Sequence, residues 1–325
     1  MRQGFARPLV ESAMLATLSA VLMLLAFYVP VIGTVIGFVS PLPVALAVLR
    51  HGGKWGVLAS IVGALVLIPL MGWVSAAALW IGFGWVGLVF GWSVRRGYRY
   101  TAVLLLTAAS VVAGALAGFL ATYLISGLTP LDLFDQMLEA YKAGMELAKS
   151  IAGDSPQLNQ LLEIITNRDL LLRLVPGYFV LAGVFMSYIN IEVMRMILPR
   201  FGYSLDPLPP FRRWVFPEAV AWLGLSGFVA IVLLRNRPEL EALTIIAQNV
   251  YSVASIFGTL EVFSLTAFYL FRTGFSKIMV GLAMLLLFNL SSMSPLLSLL
   301  IPIFGMMDML LDFRHLKLGA NKRIL

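Results

Sequence analysis

Apolar residues run through this chain in long stretches separated by short polar breaks. One stretch, Ala102 to Ile125, is by itself long enough to cross a bilayer, since a helix spanning about 30 Å of hydrocarbon takes about 20 residues. Read at that length, the pattern gives ten candidate segments: Val10–Val29, Val31–Leu49, Gly56–Gly72, Val74–Val94, Thr101–Ser126, Leu174–Ile197, Val215–Leu234, Ala242–Phe271, Ile278–Leu290 and Pro295–Leu311. The runs are continuous rather than alternating, which describes helices and not the strands of an outer-membrane barrel. Pro41 and Pro43 interrupt the second segment, and the polar run Asn289, Ser291, Ser292 and Ser294 separates the last two. Val31–Leu49 and Ile278–Leu311 therefore stand either as full crossings or as broken, re-entrant segments covered by protein. The expected fold is an all-α membrane protein, a polytopic helical bundle of about 8–10 transmembrane segments.

The sizeable hydrophilic stretch lies between Thr129 and Arg173. Leu131, Phe134, Met137, Leu138, Tyr141, Met145 and Leu147 recur there at helical spacing, with Asp132, Asp135, Glu139 and Glu146 between them. That is an amphipathic helix. Gly153 to Pro156 break it, and a short second helix, Leu158–Ile165, completes a hairpin that either lies on the bilayer surface or covers a pocket. The chain accordingly reads as one integral membrane domain, 1–325, in three stretches: 1–126, the amphipathic hairpin 127–173, and 174–325.

Charge orients these elements. Lys and Arg cluster at Arg2 and Arg7, Arg50 and Lys54, Arg95 to Arg99, Arg195 to Arg213, Arg272 and Lys277, and Arg314 to Arg323, after every second segment. Cytoplasmic loops carry such an excess, so ten crossings with both termini cytoplasmic and the acidic hairpin outside satisfy all loops together. Met1 to Arg7 leads into the first membrane helix rather than a cleavable leader. The expected location is a bacterial inner membrane. Composition agrees: 60% of the 325 residues are hydrophobic and 12% charged, against about 25% charged in a soluble domain. The net charge of +7 sits in short loops, which marks topology and not nucleic-acid binding.

Catalytic signatures are missing from the sequence: it has no P-loop, no G-x-S-x-G, no H-E-x-x-H and no cysteine. No catalytic residue, metal site or cofactor is expected. Intramembrane ionisable groups are functional candidates by default. Glu192, Glu218, Asp308 and Asp312 lie near cytoplasmic ends beside Arg195, Arg213 and Arg314, as helix-end ion pairs would. Glu261 lies deeper, and two readings stand for it: a carboxylate facing a cavity, or one in a packed interhelical hydrogen bond. Trp80, Tyr123, Tyr178, Gln248, Asn249, Tyr251 and Asn289 add aromatic and neutral polar groups to the outward half, surroundings that suit a small organic ligand. Small residues four apart, Ala16 and Ala20, Gly33 and Gly37, Gly87 and Gly91, and Gly114 and Gly118, mark faces for helix packing or for a partner.

Glu11 to Ala20, Tyr28-Val-Pro30, Gly33, Pro41-Leu-Pro43, Arg50 to Gly56, Gly305 to Asp308 and Asp312-Phe-Arg314 together resemble the YybS-like family of uncharacterised bacterial membrane proteins. More distantly, Ala16 and Ala20 in an A-x-x-x-A pattern and the Arg50 to Gly56 loop resemble the S components of energy-coupling factor vitamin transporters. That resemblance implies a small-solute binding or transport protein whose first helix docks, through Ala16 and Ala20, onto a coupling membrane protein with ATPases. S components have about six helices, so this chain departs from them in length. Two rivals stand: a non-transporting scaffold for envelope assembly or sporulation that uses the hairpin, and an intramembrane enzyme acting on lipid-linked substrates through Glu261 and another carboxylate.

Overall fold

The computed structural model describes residues 3–29, 32–153 and 167–314, and all regular secondary structure among them is helical. Among the described residues, six helical stretches are long and apolar enough to cross a membrane: Ala6–Tyr28, Ile32–His51, Gly53–Trp73, Tyr100–Ser126, Arg168–Phe201 and Pro238–Arg272. Three shorter apolar helices follow the same pattern, Glu218–Leu234, Lys277–Leu290 and Leu296–Leu311. The chain is an all-α polytopic membrane protein.

The helices group into two compact units, Met1–Thr166 with Phe179–Pro207, and Asn167–Tyr178 with Leu208–Leu325. These units do not coincide with the stretches 1–126, 127–173 and 174–325, because one long helix contributes its first residues to the second unit and the rest to the first.

The first unit is built on a buried half-helix. α1 (Gln3–Tyr28) is followed by α2 (Ile32–Val39) and α3 (Leu42–His51), which Ser40 and Pro41 separate, so the stretch Ile32–His51 has the length of a crossing and is interrupted at the first of its two prolines. Every residue of α3 from Leu42 to Leu49 is buried, as a helix apolar all round must be. α4 (Gly53–Leu79) turns at Gly72, whose φ of 80° an L side chain rarely adopts. The segment read as Val74–Val94 continues through a π-helical turn, Trp80–Gly84, into α5 (Trp85–Arg95). Gly87 and Gly91 let α5 lie directly on α3, and a Cβ at Gly91 would stand 2.7 Å from the Ala45 carbonyl oxygen. One turn further, Arg95 donates from Nη1 to the Val48 carbonyl at 2.7 Å and closes the end of α3.

Ala16 and Ala20 of α1 are 0% and 1% exposed. Ala16 packs with Ala47 of α3 and Ala59 of α4, and Ala20 clusters with Met23, Leu67 and Ala76. This corrects the expectation of a docking face: their methyl groups are spent on packing inside the unit and offer no surface to a second protein.

α6 (Tyr100–Ser126) ends at Gly127 in the left-handed conformation, and α7 (Pro130–Ala152) is the amphipathic helix of the expected hairpin. A capping box starts it: Thr129 Oγ1 accepts from the Asp132 amide at 3.2 Å, and the Asp132 carboxylate accepts from the Thr129 amide at 2.7 Å. The Thr129 hydroxyl, which donates to the same carboxylate at 2.7 Å, and then the Thr129 amide hold the Asp132 carboxyl below its ordinary value of 3.8. The second helix of the hairpin, Leu158–Ile165, lies outside the described residues. α8 (Arg168–Ile197) completes the first unit with its residues from Phe179 onward.

In the second unit, α9 (Glu218–Leu234), α10 (Glu241–Arg272) and α12 (Pro295–Leu311) share a core of Ala221, Ala254, Met306 and Met309. Gly258 and Gly305 meet where α10 and α12 touch, and a Cβ on either would run into the backbone of the other helix. α11 (Lys277–Met293) and α12 are separate helices, because Ser294 leaves the helical conformation and its hydroxyl accepts from the Leu297 amide. Each has 17 residues, about 26 Å at about 1.5 Å per residue. α10 has 32 residues, about 48 Å, and must continue beyond the hydrocarbon.

Candidate functional site

The first unit contains a cleft of about 340 Å³. Glycines create it. Gly33 seats α2 on α1, since a Cβ there would stand 2.6 Å from the Ala26 carbonyl oxygen, and a Cβ at Gly37, one turn on, would stand 3.7 Å from the Phe83 ring. Gly82 and Phe83 come from the π-helical turn, an irregularity often found at functional sites. The Trp80 indole N–H donates to Ser60 Oγ at 3.1 Å and so pins this turn to α4. Phe38, Val86, Val111 and Met186 make the remaining wall apolar.

Thr34 and Asn190 bring polar groups to this lining. Asn190, on α8, is 8% exposed and donates from Nδ2 to the Met186 carbonyl at 2.9 Å. Its Oδ1 is buried and has no hydrogen-bond partner among the described residues. Turning the carboxamide over would set its oxygen against the Met186 carbonyl, so Nδ2 keeps that bond and Oδ1 remains the unpaired atom. A buried acceptor left unpaired costs about 1–3 kcal/mol, and a donor from a bound molecule relieves it.

In the second unit, Glu261 is 0% exposed. It is ion-paired with Arg314, and its Oε2 accepts from the Phe216 amide at 2.9 Å. Arg314 also reaches Asp308 Oδ2 at 2.9 Å and Ser264 Oγ at 2.7 Å. Asp308 Oδ1 in turn accepts from the Phe313 amide. Of the two arrangements open for Glu261, this is the packed one, and Asp308 with Arg314 forms a helix-end ion pair. Glu192 does the same in the first unit, with Arg195 Nη2 at 2.6 Å and the Tyr100 hydroxyl at 2.7 Å.

The other residues singled out from the sequence are divided between the two units. Trp80 and Tyr123 lie in the first unit, Tyr178, Gln248, Asn249, Tyr251, Glu261 and Asn289 in the second. Tyr123, Tyr178 and Asn289 are exposed, and Tyr251 packs against Phe228 and the core. Gln248 is half-buried with an unpaired Oε1. Asn249 bonds the start of α8: its Oδ1 accepts from the Gly177 amide at 2.7 Å and its Nδ2 donates to the Arg173 carbonyl at 2.6 Å. Those two groups are four residues apart, the partners of an ordinary helical bond, beside the helix-breaking Pro176. Asn190 stands toward the cytoplasmic end of its segment, beside Glu192 and Arg195, and so falls outside the outward half from which the neutral polar candidates were drawn; nothing in the letters announces the π turn.

No solved structure matches the chain. The Uncharacterized protein YybS of Bacillus subtilis (strain 168) is 26% identical to it over 319 residues, covering 95% of this chain and 98% of that protein. The family model described as Predicted membrane protein (DUF2232) matches residues 17–309, nearly the whole length. The chain therefore belongs to the DUF2232 family of membrane proteins, among them YybS, as the motifs at its two ends implied.

Proposed function

We propose that this protein binds a small, uncharged, largely apolar molecule in the cleft of its first unit and serves as the solute-binding subunit of a transport assembly energised by other chains. The observation that carries the reading is a cleft lined mainly by apolar groups and by Asn190, a residue whose buried Oδ1 has no donor among the described residues. A volume of about 340 Å³ lies within the usual range for small-molecule sites, about 300 to 1,000 Å³. Since no charged side chain lines the cleft, a ligand with a hydroxyl or amide donor and an apolar body fits it better than an ion. The S-component likeness of the first segments supports the division of labour, with ATPases on partner chains. If α1 meets a coupling protein, its exposed face, Met14, Leu18, Val21 and Leu25, is the surface available, not Ala16 and Ala20. The bacterial inner membrane, with both termini cytoplasmic, is the setting that the loop charges support.

Thermal unfolding of detergent-purified protein against a library of uncharged metabolites tests this. Some members should raise the melting temperature of the wild type and leave an Asn190→Leu variant unmoved. A wild type indifferent to the whole library would end the reading.

One observation favours the scaffold instead: on α7, Leu131, Met137, Tyr141 and Leu147 are all exposed. Crosslinking in native membranes separates the two, since a scaffold would recover envelope proteins through α7 and a solute carrier would recover an ATPase assembly.

A further inference from the structure

The second unit carries a separate cavity of about 290 Å³ where the start of α8 meets the turn between α9 and α10. Arg173, Arg235, Arg237, Glu241 and Thr244 line it, a formal balance of three guanidiniums against one carboxylate. Arg173 is engaged: its Nη2 lies 2.5 Å from Glu241 Oε1, and its carbonyl holds Asn249. Arg237 stands 3.6 Å from Glu239, and both of those side chains are largely exposed, so water screens the pair. Arg235 makes no ion pair or hydrogen bond among the described residues.

An arginine at a helix C-terminus complements the helix dipole, and Arg235 follows the last residue of α9. That accounts for one guanidinium and not for three around one cavity. The loop Asn236 to Glu241 is also one that charge assigns to the outer face, where arginine is not enriched. Two further features suit an anion. The α10 start carries no side-chain cap, so its first amides keep their partial positive charge beside the same cavity. The 17 residues of α9 span about 26 Å, which puts Arg235 at the depth of lipid headgroups.

We propose that this cradle binds a phosphate group, presented either by a lipid headgroup or by a free phosphate. Guanidinium forks pair with phosphate oxygens two at a time, and Arg235 and Arg237 are the forks with capacity to spare. The site is independent of the apolar cleft in the first unit.

The test compares wild type with an Arg235→Gln/Arg237→Gln variant, both in dodecyl maltoside. These side chains are exposed, and equal melting temperatures without ligand would establish that the variant folds. Inorganic phosphate is titrated in one arm. In the other, dioleoyl phosphatidylglycerol and the phosphate-free dioleoylglycerol are added, and retained lipid is read by native mass spectrometry. Wild type should bind phosphate or phosphatidylglycerol, and the variant should bind the same probe about a hundredfold more weakly, about tenfold for each guanidinium removed. Retention of phosphatidylglycerol without a response to phosphate assigns the site to lipid, and a phosphate response assigns it to a solute. Equal affinity of the two proteins for both probes, or no binding by the wild type, overturns the proposal.

Discussion

Removing the guanidinium of Arg314 strands a carboxylate. Glu261 would keep the Phe216 amide as its partner and lose its counter-charge in a fully buried position. Breaking a buried pair from one side typically costs about 3–5 kcal/mol, so Arg314→Met should lower thermal stability strongly. Glu261→Gln should cost less, since a glutamine oxygen still accepts from Phe216 and Arg314 keeps Asp308 and Ser264. A melting curve for each variant in detergent decides it, and an Arg314→Met protein as stable as wild type would contradict the geometry. Asn249→Leu belongs at the same scale: it withdraws partners from the Gly177 amide and the Arg173 carbonyl, with an expected loss of about 2 kcal/mol or more. Polar residues in apolar helices were legible in the sequence as exceptions. Whether each faces a cavity or a neighbour was not, because that depends on which helix lies opposite: Asn249 and Glu261 meet partners 72 and 53 positions away, at Gly177 and Arg314, while Asn190 lines a cleft and keeps an unpaired Oδ1.

Helix contacts rest on absent side chains. Gly114 and Gly118 are spaced alike with Gly87 and Gly91, yet a Cβ on Gly114 would stand 2.9 Å from the Ile81 carbonyl oxygen, and one on Gly118 would meet nothing within 4 Å. Gly91→Val and Gly305→Val should therefore each destabilise by about 3 kcal/mol or more, because backbone and not a flexible side chain is in the way. Gly118→Ala should be neutral or stabilise by up to about 1 kcal/mol. Equal effects at Gly91 and Gly118 would contradict the α3 and α5 contact. The spacing identified which glycines share a face, but not which face is covered. α7 gives a pH prediction. Its capping carboxylate, Asp132, titrates below its unfolded value, so the cap stabilises the helix start above about pH 4 and is lost as pH falls through the lowered value. Hydrogen exchange at the Thr129 amide, which donates to the Asp132 carboxylate, should lose its advantage over an Asp132→Ala variant on acidification, and an advantage unchanged by acid would contradict the assigned bonds.

At the scale of the molecule, helical character followed from the lengths of the apolar runs, because hydrocarbon imposes both a span and closed backbone hydrogen bonds; the count did not follow as closely, since against ten expected segments six helical stretches among the described residues have the length and apolarity of a crossing, with three shorter apolar helices beside them. The grouping into two units did not follow. α8 reads as one uninterrupted helix, while contacts assign its residues before Phe179 to one unit and those after to the other. Orientation rests on loop charge alone, and the chain is well suited to a direct test. It contains no cysteine, so a single introduced thiol is labelled against a clean background. With the basic loops inside, a Glu139→Cys protein in intact cells should react with a membrane-impermeant maleimide, and Arg99→Cys and Lys277→Cys proteins should react only after permeabilisation. All three positions are exposed, so burial does not confuse the readout. Labelling of Arg99→Cys and Lys277→Cys in intact cells, with Glu139→Cys protected, would invert the bundle. The apolar cleft would survive that inversion, since its lining carries no charge, but the arginine cradle would then face the cytoplasm, where basic residues are ordinary, and would lose the part of its argument that rests on their scarcity outside.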